Sequence, residues 1–192
     1  MNKTREFRLL EDKKKLEKMA ESCPYLTVQQ VKGNPPTEYM LTFKLRGYID
    51  SKGNTRDMHQ VRLTLPSGYP ILSPPSFQFV NKLWHPNVYR NGDVCLGLSG
   101  SWKPGYRIDE LVEDIAKYIC FKKDSYNLSS IANSSCDASW IRTHTIPVDN
   151  TNILHVDKFN VVVKKPKIDI KIKDNPVTPV SNLKDKIKIR IN

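Results

Sequence analysis

Hydrophobic and polar residues in the first half of the chain follow two different periods. Between Lys3 and Ala20, apolar positions recur at helical spacing among many Lys and Glu residues, which predicts an amphipathic first helix that Pro24 closes. Four later runs alternate like strands, most clearly in the second, where Leu41 and Phe43 share one face. The predicted strands are Tyr25 to Val31, Tyr39 to Arg46, Met58 to Leu65 and Ser76 to Val80.

Short turn-forming stretches at positions 33–36 and 50–54 separate the predicted strands and imply an antiparallel meander. From Ile108 an apolar stripe at helical spacing predicts a second helix. Residues Asn133 to Ser135 suit the cap of a third, short helix that reaches Trp140. These elements predict an α+β domain over residues 1–157, with an N-terminal helix, a four-stranded antiparallel meander, a long loop and C-terminal helices.

Beyond Pro147 the pattern changes. Isoleucines alternate with charged residues on both sides of a break at Pro176 and Pro179, and we find no amphipathic pattern for another helix. The residues allow two short edge strands or a disordered tail equally. We therefore expect residues 158–192 to form a basic C-terminal extension of the domain.

The positive charge of the chain is concentrated in this extension. The formal net charge is +11, and residues 158–192 contribute +7 of it, so acidic partners are favoured mainly by the tail. A nucleic-acid binder is one interpretation of such a tail. It lacks aromatic residues for base stacking apart from Phe159, however, and lysine-rich tails bind many polyanions weakly, so we do not expect nucleic acid as a dedicated partner.

Several classes of protein are excluded by what the sequence lacks. The N-terminus has no apolar signal core, and no stretch approaches the ~18 apolar residues of a membrane-spanning helix. The four cysteines form no CxxC pair and no cluster with the histidines, so neither a disulfide framework nor a metal site is expected. We expect a protein of the reducing cytoplasm with no membrane partner.

Residues 84–104 combine features that suit acyl transfer. His85, Pro86 and Asn87 form a rigid polar corner, and Cys95 follows Asn87 after eight positions. A thiol that attacks an acyl carbonyl needs a hydrogen-bond donor for the oxyanion, and the Asn87 amide is suited to that role. An isolated cysteine would be interpreted as a buried strand residue, but the flanking Asp93, Gly92 and Gly97 favour an exposed sulfur at Cys95. For Asn87 a second interpretation stays open, as a brace whose amide bonds the loop backbone.

The order of these motifs resembles that of the ubiquitin-conjugating enzymes. Tyr69-Pro70 and Pro74-Pro75 precede a Phe-rich strand, the His-Pro-Asn corner, Cys95-Leu96 and Trp102-x-Pro104 in the running order of that family. The likeness covers most of the chain and fades beyond Pro147. It implies the α+β fold of that family, in which the corner and Cys95 form an active-site loop.

The resemblance also implies a reaction. An activating enzyme passes the C-terminal carbonyl of ubiquitin, or of a ubiquitin-like protein, to Cys95 as a thioester, and the acyl group then moves to a lysine amine of a target or to a ligase. No cofactor is needed at this step, since ATP is consumed upstream. The alternative is a non-catalytic adaptor that keeps the fold to bind a modifier. Such adaptors lack the cysteine, so the presence of Cys95 with Asn87 argues against it.

Functional positions of the family map onto individual residues of this sequence. The resemblance implies that His85 and Pro86 stiffen the corner and that Leu96 supports the cysteine. The basic face of the first helix implies contact with the activating enzyme, and the rigid apolar loop before the fourth strand implies contact with a ligase. The residues implied in partner binding are Arg5, Arg8, Lys13, Ile71, Leu72, Lys103 and Pro104.

Ser130 takes, by resemblance, the position that gates the approach of the acceptor lysine. A hydroxyl orients an amine but adds no negative charge. Activation of the lysine therefore stays open between desolvation and a nearby carboxylate, for which the candidates are Asp93, Asp124 and Asp137.

Three departures from the family pattern indicate a divergent member. Three residues, Ile71 to Ser73, separate the Tyr-Pro and Pro-Pro pairs where one is usual. The loop from Cys95 to Trp102 is one residue shorter than is common, and the final helix of the family has no counterpart beyond Pro147. The family occurs in eukaryotes and in bacterial conjugation operons, and the divergence is compatible with a bacterial source.

Overall fold

The computed structural model describes residues 3–98 and 100–153. In this part of the chain, helices cover the buried face of an antiparallel sheet, which confirms the predicted α+β fold. The main hydrophobic core lies between the sheet and the first two helices, and a smaller aromatic cluster adjoins it. The helices are α1 (Lys3–Ser22), α2 (Ile108–Cys120) and α3 (Ala138–Thr143), and the strands are β1 (Leu26–Gly33), β2 (Pro36–Phe43), β3 (Gly47–Tyr48), β4 (Thr55–Arg56), β5 (His59–Thr64) and β6 (Ser76–Phe79).

Helix α1 is amphipathic, as the helical spacing predicted. Leu9, Leu16 and Met19 are buried because residues three, four or seven apart lie on one face of a helix. Phe7 remains exposed on the opposite side. Asp12 interrupts the apolar stripe and is nevertheless wholly buried, which requires polar partners inside the molecule.

The sheet is a four-stranded antiparallel meander in the order β1-β2-β5-β6, which confirms the prediction. Leu41 pairs with Val61 in the register of β2 with β5. Because successive side chains of a strand point to opposite faces, Leu41 and Phe43 face the core while Thr42 points away from it. Strands β3 and β4 form a separate two-stranded ladder, too short to show alternation in the sequence.

Helix α2 begins at Ile108, as predicted, and is buried over most of its length. It ends where Phe121 adopts the left-handed conformation, with φ of 56°. The backbone amides of Phe121 and Lys122 return to carbonyls of the last helical turn, which is a common way to end a helix. This abrupt end turns the following segment back towards the His-Pro-Asn corner.

Helix α3 begins later than the sequence suggested. Its cap is Asp137, whose carboxylate accepts hydrogen bonds from the backbone amides of Ser139 and Trp140 at 2.9 Å. The prediction that Asn133 to Ser135 cap this helix is therefore wrong. The Asn133 side chain instead accepts from the Ser135 amide at 3.3 Å within a local turn.

The described chain continues after α3 to Ile153 without another helix or strand. Ile153 is buried against the main core. The predicted extension, residues 158–192, and its boundary after residue 157 lie outside the described residues. No helix within residues 3–98 and 100–153 is long and apolar enough to cross a membrane.

Candidate active site

Residues 85–95 form a short hairpin that brings the His-Pro-Asn corner next to Cys95. Val88 and Val94 form an antiparallel bridge, and the Cys95 amide donates to the Asn87 carbonyl at 2.8 Å. The spacing of eight positions between Asn87 and Cys95 therefore accommodates two short paired segments and the tight turn that joins them.

Gly92 makes the turn of this hairpin possible. Its φ of +90° favours glycine, and its amide donates to the Tyr89 carbonyl at 2.9 Å. A Cβ at this position would collide with the Phe79 carbonyl oxygen. The Phe79 amide also donates to the Gly92 carbonyl at 2.8 Å, so the hairpin is held closely against the end of β6.

The Asn87 side chain turns back towards the cysteine. Its Nδ2 donates to the Cys95 carbonyl at 3.3 Å, and its Oδ1 is buried with no hydrogen-bond partner among the described residues. Cys95 itself is partly exposed. An amide donor this close to the cysteine suits stabilisation of an oxyanion, and the same contact also suits the bracing role.

His85 is wholly buried beneath the corner. The rings of Tyr118 and Phe121 both lie 4.8 Å from its ring, and that of Tyr126 lies 6.1 Å away. Burial lowers the pKa of His85 to about 3, so the imidazole is neutral at physiological pH. A buried neutral ring is consistent with the predicted stiffening role.

Each ring nitrogen of His85 has a polar neighbour. Nδ1 accepts from the backbone amide of Asn87 at 3.1 Å. Nε2 lies 3.4 Å from the Oγ of Ser125, and that hydroxyl donates to the Lys122 carbonyl at 2.6 Å. The corner is thus connected through one imidazole to the turn that follows α2.

Cys95 opens into a mainly apolar groove of about 640 Å³. Ile71 and Leu72 line the same groove and are 56% and 83% exposed. Leu96 lines it too and packs against the main core. The loop that follows Tyr69 therefore presents two large apolar side chains on the groove that holds the candidate nucleophile.

The loop that begins at Tyr69-Pro70 (the Tyr-Pro loop) is hydrogen-bonded to the loop that contains residues 102–104 (the Trp-Lys-Pro loop). The Trp102 indole nitrogen donates to the Pro70 carbonyl at 2.8 Å, and its ring lies 6.0 Å from that of Tyr69. Lys103 and Pro104 are exposed on the second loop. The structure thus joins the two loops that carry four of the predicted partner-binding residues.

A buried ion pair of α1 holds both loops. Arg8 donates to both carboxylate oxygens of Asp12 at 2.9 Å, and the Tyr69 hydroxyl donates to Asp12 at 2.5 Å. Arg8 also donates to the carbonyls of Pro104 and Tyr106. Burial raises the pKa of Asp12, and the bonds from Tyr69 and Arg8 oppose that rise. Helix α1 therefore holds Tyr69 through the Asp12 carboxylate, and Pro104 and Tyr106 through the Arg8 guanidinium.

The basic residues of α1 differ in how they are engaged. Arg8 binds Asp12, and Arg5 donates to two backbone carbonyls just before the Tyr-Pro loop. Lys13 is partly exposed and pairs with Glu17 at 3.7 Å. Contact of Arg5, Arg8 and Lys13 with an activating enzyme stays a prediction, and for the two arginines it would compete with internal bonds.

Ser130 lies in an exposed segment whose continuation is anchored to the corner. The backbone amides of Ala132 and Asn133 donate to the Pro86 carbonyl at 2.7 Å and 3.0 Å. Pro86 thus joins the corner to this segment. The gating role of Ser130 stays a prediction.

The carboxylates considered for lysine activation have different surroundings. Asp137 is engaged as the cap of α3. Asp93 accepts from Gln78 at 3.0 Å and from Asn91 at 2.7 Å beside the hairpin, and Asp124 is exposed. The choice among them stays open. No group of three or more His, Cys, Asp or Glu side chains in the described part of the chain is arranged to hold a metal.

Three residues around the site were missed by sequence inspection. Tyr118 belongs to the buried stripe of α2 and stacks on His85, and burial raises the pKa of its phenol to about 12. Asp12 carried a usable signal, since it is a carboxylate within an apolar stripe. Ser125 carried none, because it lies 40 residues from His85 in the sequence.

The chain is similar to known proteins over much of its length. The sequence model of the family described as "Ubiquitin-conjugating enzyme" matches residues 11–143, a span that includes the corner, Cys95, α2 and α3. Among solved structures, the chain is similar to human ubiquitin-conjugating enzyme E2 G1 at 22% identity. That match covers 57% of this chain and 92% of the human chain, with a TM-score of 0.45.

Proposed function

The chain belongs to the ubiquitin-conjugating enzyme family, and from this premise we propose that Cys95 carries ubiquitin, or a ubiquitin-like modifier, as a thioester. In this proposal the chain accepts the acyl group from an activating enzyme and passes it to a lysine amine of a target or to a ligase. The observation that carries the proposal is the pair of hydrogen bonds that joins Cys95 to Asn87 within one hairpin.

Loading is an exchange of thiols. The Cys95 sulfur, as a thiolate, attacks the carbonyl carbon of the thioester held by the activating enzyme, and a tetrahedral oxyanion forms. When this intermediate collapses, the bond to the activating enzyme's sulfur breaks and that sulfur leaves as a thiolate. One thioester replaces another, so the step depends on access to the partly exposed sulfur through the groove. It needs no cofactor, and ATP is consumed upstream.

Discharge converts the thioester into an amide. A neutral lysine amine attacks the carbonyl carbon, and negative charge develops on the carbonyl oxygen. The nitrogen then passes a proton to water as the C–S bond breaks and the Cys95 thiolate leaves. The Asn87 Nδ2 already donates to the backbone carbonyl of Cys95. At 3.3 Å that bond is long, so turning the amide towards the developing oxyanion sacrifices little. We therefore assign Asn87 chiefly to discharge.

Other residues support the cysteine in this proposal. His85 and Pro86 hold the corner from below, through the Asn87 amide and through the segment that follows Ser130. Leu96 anchors the chain after the cysteine in the main core. Ser130 orients the incoming amine, a role that its exposed position allows.

The proposal also assigns partners to surfaces. The exposed apolar residues Ile71 and Leu72, with Lys103 and Pro104 on the joined loop, suit a ligase. The basic residues of α1, among them Lys13, suit an activating enzyme. All four cysteines are free thiols, which supports a reducing compartment, and we place the protein in the cytoplasm.

An adduct assay tests the proposal. Incubation of the full chain with ubiquitin, a ubiquitin-activating enzyme and ATP should give an adduct that dithiothreitol removes. Cys95→Ser should give at most an adduct that survives reduction, because a serine would form an ester. Cys136→Ser is the matched control, since that thiol is wholly buried, and it should load like the native chain.

Two outcomes would contradict the assignment. A thiol-sensitive adduct on Cys95→Ser would show that another cysteine is the acceptor. Failure to exchange with ubiquitin that carries a C-terminal 2-mercaptoethanesulfonate thioester, despite binding of ubiquitin to the native chain, would favour the non-catalytic adaptor. This second assay bypasses the activating enzyme and therefore isolates the chemistry of Cys95.

A further inference from the structure

We propose that Ser125 is a positioning residue of this active site, whose hydroxyl accepts from Nε2 of His85 and so holds the imidazole where Nδ1 anchors Asn87. Ser125 lies in the turn after α2 and is 8% exposed. The proposal rests on the proposed function only for its effect on acyl transfer, since the tautomer of His85 can be measured without any partner.

The surroundings of His85 are largely aromatic, so its ring nitrogens require polar partners such as Ser125. The rings of Tyr118, Phe121 and Tyr126 lie around the imidazole at centroid distances of 4.8 to 6.1 Å. Aromatic ring atoms leave the two imidazole nitrogens unsatisfied, and a buried nitrogen without a hydrogen bond is costly. Within the described residues, the hydrogen-bond neighbours of the imidazole are the Asn87 amide and the Ser125 hydroxyl.

The directions of these bonds determine which nitrogen carries the proton. The Asn87 backbone amide can only donate, so Nδ1 of His85 is the unprotonated nitrogen. The proton of the neutral ring is then on Nε2, which faces Ser125 Oγ at 3.4 Å. Ser125 donates its own proton to the Lys122 carbonyl at 2.6 Å and keeps a lone pair for Nε2. All three bonds therefore have one donor and one acceptor.

This series of hydrogen bonds ends at the candidate nucleophile. His85 anchors the Asn87 amide, and Asn87 contacts Cys95 twice, through its carbonyl at 2.8 Å and through Nδ2 at 3.3 Å. In the other tautomer a proton on Nδ1 would face the Asn87 N–H, and the two donors would repel each other. By holding the ring at Nε2, Ser125 therefore helps to set where the Asn87 amide lies relative to the thioester carbonyl.

Nitrogen NMR of the full chain with ¹⁵N-labelled histidine measures the tautomer directly at pH 7. We expect an unprotonated Nδ1 and a protonated Nε2 for His85 in the native protein. Ser125→Ala removes the acceptor of Nε2 and leaves that N–H unsatisfied, so the ring is held less firmly and the Asn87 backbone amide of a uniformly ¹⁵N-labelled chain should exchange its hydrogen faster, on the order of 10-fold. Ser125→Thr keeps the hydroxyl and should preserve the native exchange rate. A native His85 with its proton on Nδ1 would overturn the proposal without any variant.

Single-turnover kinetics measure the consequence for acyl transfer. Ser125→Ala should slow discharge of the Cys95 ubiquitin thioester to free lysine on the order of 10-fold, the effect of one lost buried hydrogen bond, while loading changes little. Ser125→Thr should restore most of the rate. Ser129→Ala, which removes an exposed hydroxyl four residues on, is the matched control and should discharge like the native chain.

The two measurements separate the possible failures. Native discharge and native exchange of the Asn87 amide hydrogen in Ser125→Ala would refute the proposal, as would equal losses in the alanine and threonine variants. If the native chain forms no thioester at all, the proposed function fails, and the NMR result alone still decides the role of Ser125.

Discussion

Lowering the pH from 7 to 5 should destabilise this protein through two buried histidines. His85 and His59 are wholly buried, and burial lowers their pKa values to about 3 and about 4. In an unfolded chain a histidine titrates near 6.5. Between these values the unfolded state binds more protons than the folded state. The stability due to the neutral rings is therefore fully present above pH 6.5 and is lost as the pH falls.

The size of the effect follows from proton linkage. Over the roughly 1.5 pH units between 6.5 and 5, each histidine should lower the free energy of unfolding by about 2 kcal/mol. The two together give about 4 kcal/mol, a large part of a typical domain stability of about 5–15 kcal/mol. Asp12 acts in the opposite sense, because burial raises its pKa. Asp109, whose pKa is lowered, loses its stabilising contribution only at more acidic pH.

Urea unfolding at pH 7 and pH 5 measures this loss in the full chain. His59→Gln supplies the comparison, because glutamine can keep the 3.1 Å contact with the Arg56 carbonyl and does not titrate. This variant should show about half of the native pH dependence, a difference of about 2 kcal/mol. Equal losses in the native chain and the variant would refute the argument for His59. A native loss under about 1 kcal/mol would refute it for both histidines.

Three further outcomes are expected. Asn87→Ala should slow lysine discharge on the order of 10²-fold with little change in loading; equal losses in both steps, with a lower melting temperature, would favour the bracing role. Tyr69→Phe removes the 2.5 Å bond to buried Asp12 and should lower the free energy of unfolding by about 1–3 kcal/mol in urea titrations, whereas an unchanged midpoint would contradict that bond. A chain that ends at Asp157 should still load at Cys95 but bind an activating enzyme or an acidic surface more weakly. Loss of folding, or complete loss of loading at native partner affinity, would instead make the tail part of the domain core.

The sequence by itself determined the elements and the central motif. Alternation with a period of two identified β2, and Leu41 and Phe43 are buried as that pattern requires. Helical periodicity identified α1 and the start of α2. The spacing of Asn87 and Cys95 matches the hairpin that joins them. These features were predictable because backbone geometry imposes a period on residues that are close in sequence.

The cap of α3 was predicted wrongly from the sequence, at Asn133 to Ser135 instead of Asp137. Both Asp137 and the stretch from Asn133 to Ser135 offer side-chain oxygens suited to a helix start. The tertiary structure anchors the amides of Ala132 and Asn133 on the Pro86 carbonyl, and the helix begins beyond that anchor, at Asp137.

Only the tertiary structure decided which polar groups support the site. Arg8 lies on a highly charged helix, and its inward position depends on the Asp12 carboxylate and on Tyr69, 57 residues from that carboxylate in the sequence. Ser125 reaches His85 across 40 residues in the same way. A hydrogen bond between groups so distant along the chain produces no periodic pattern in the sequence. The same local pattern is compatible with many conformations of the residues between the two groups.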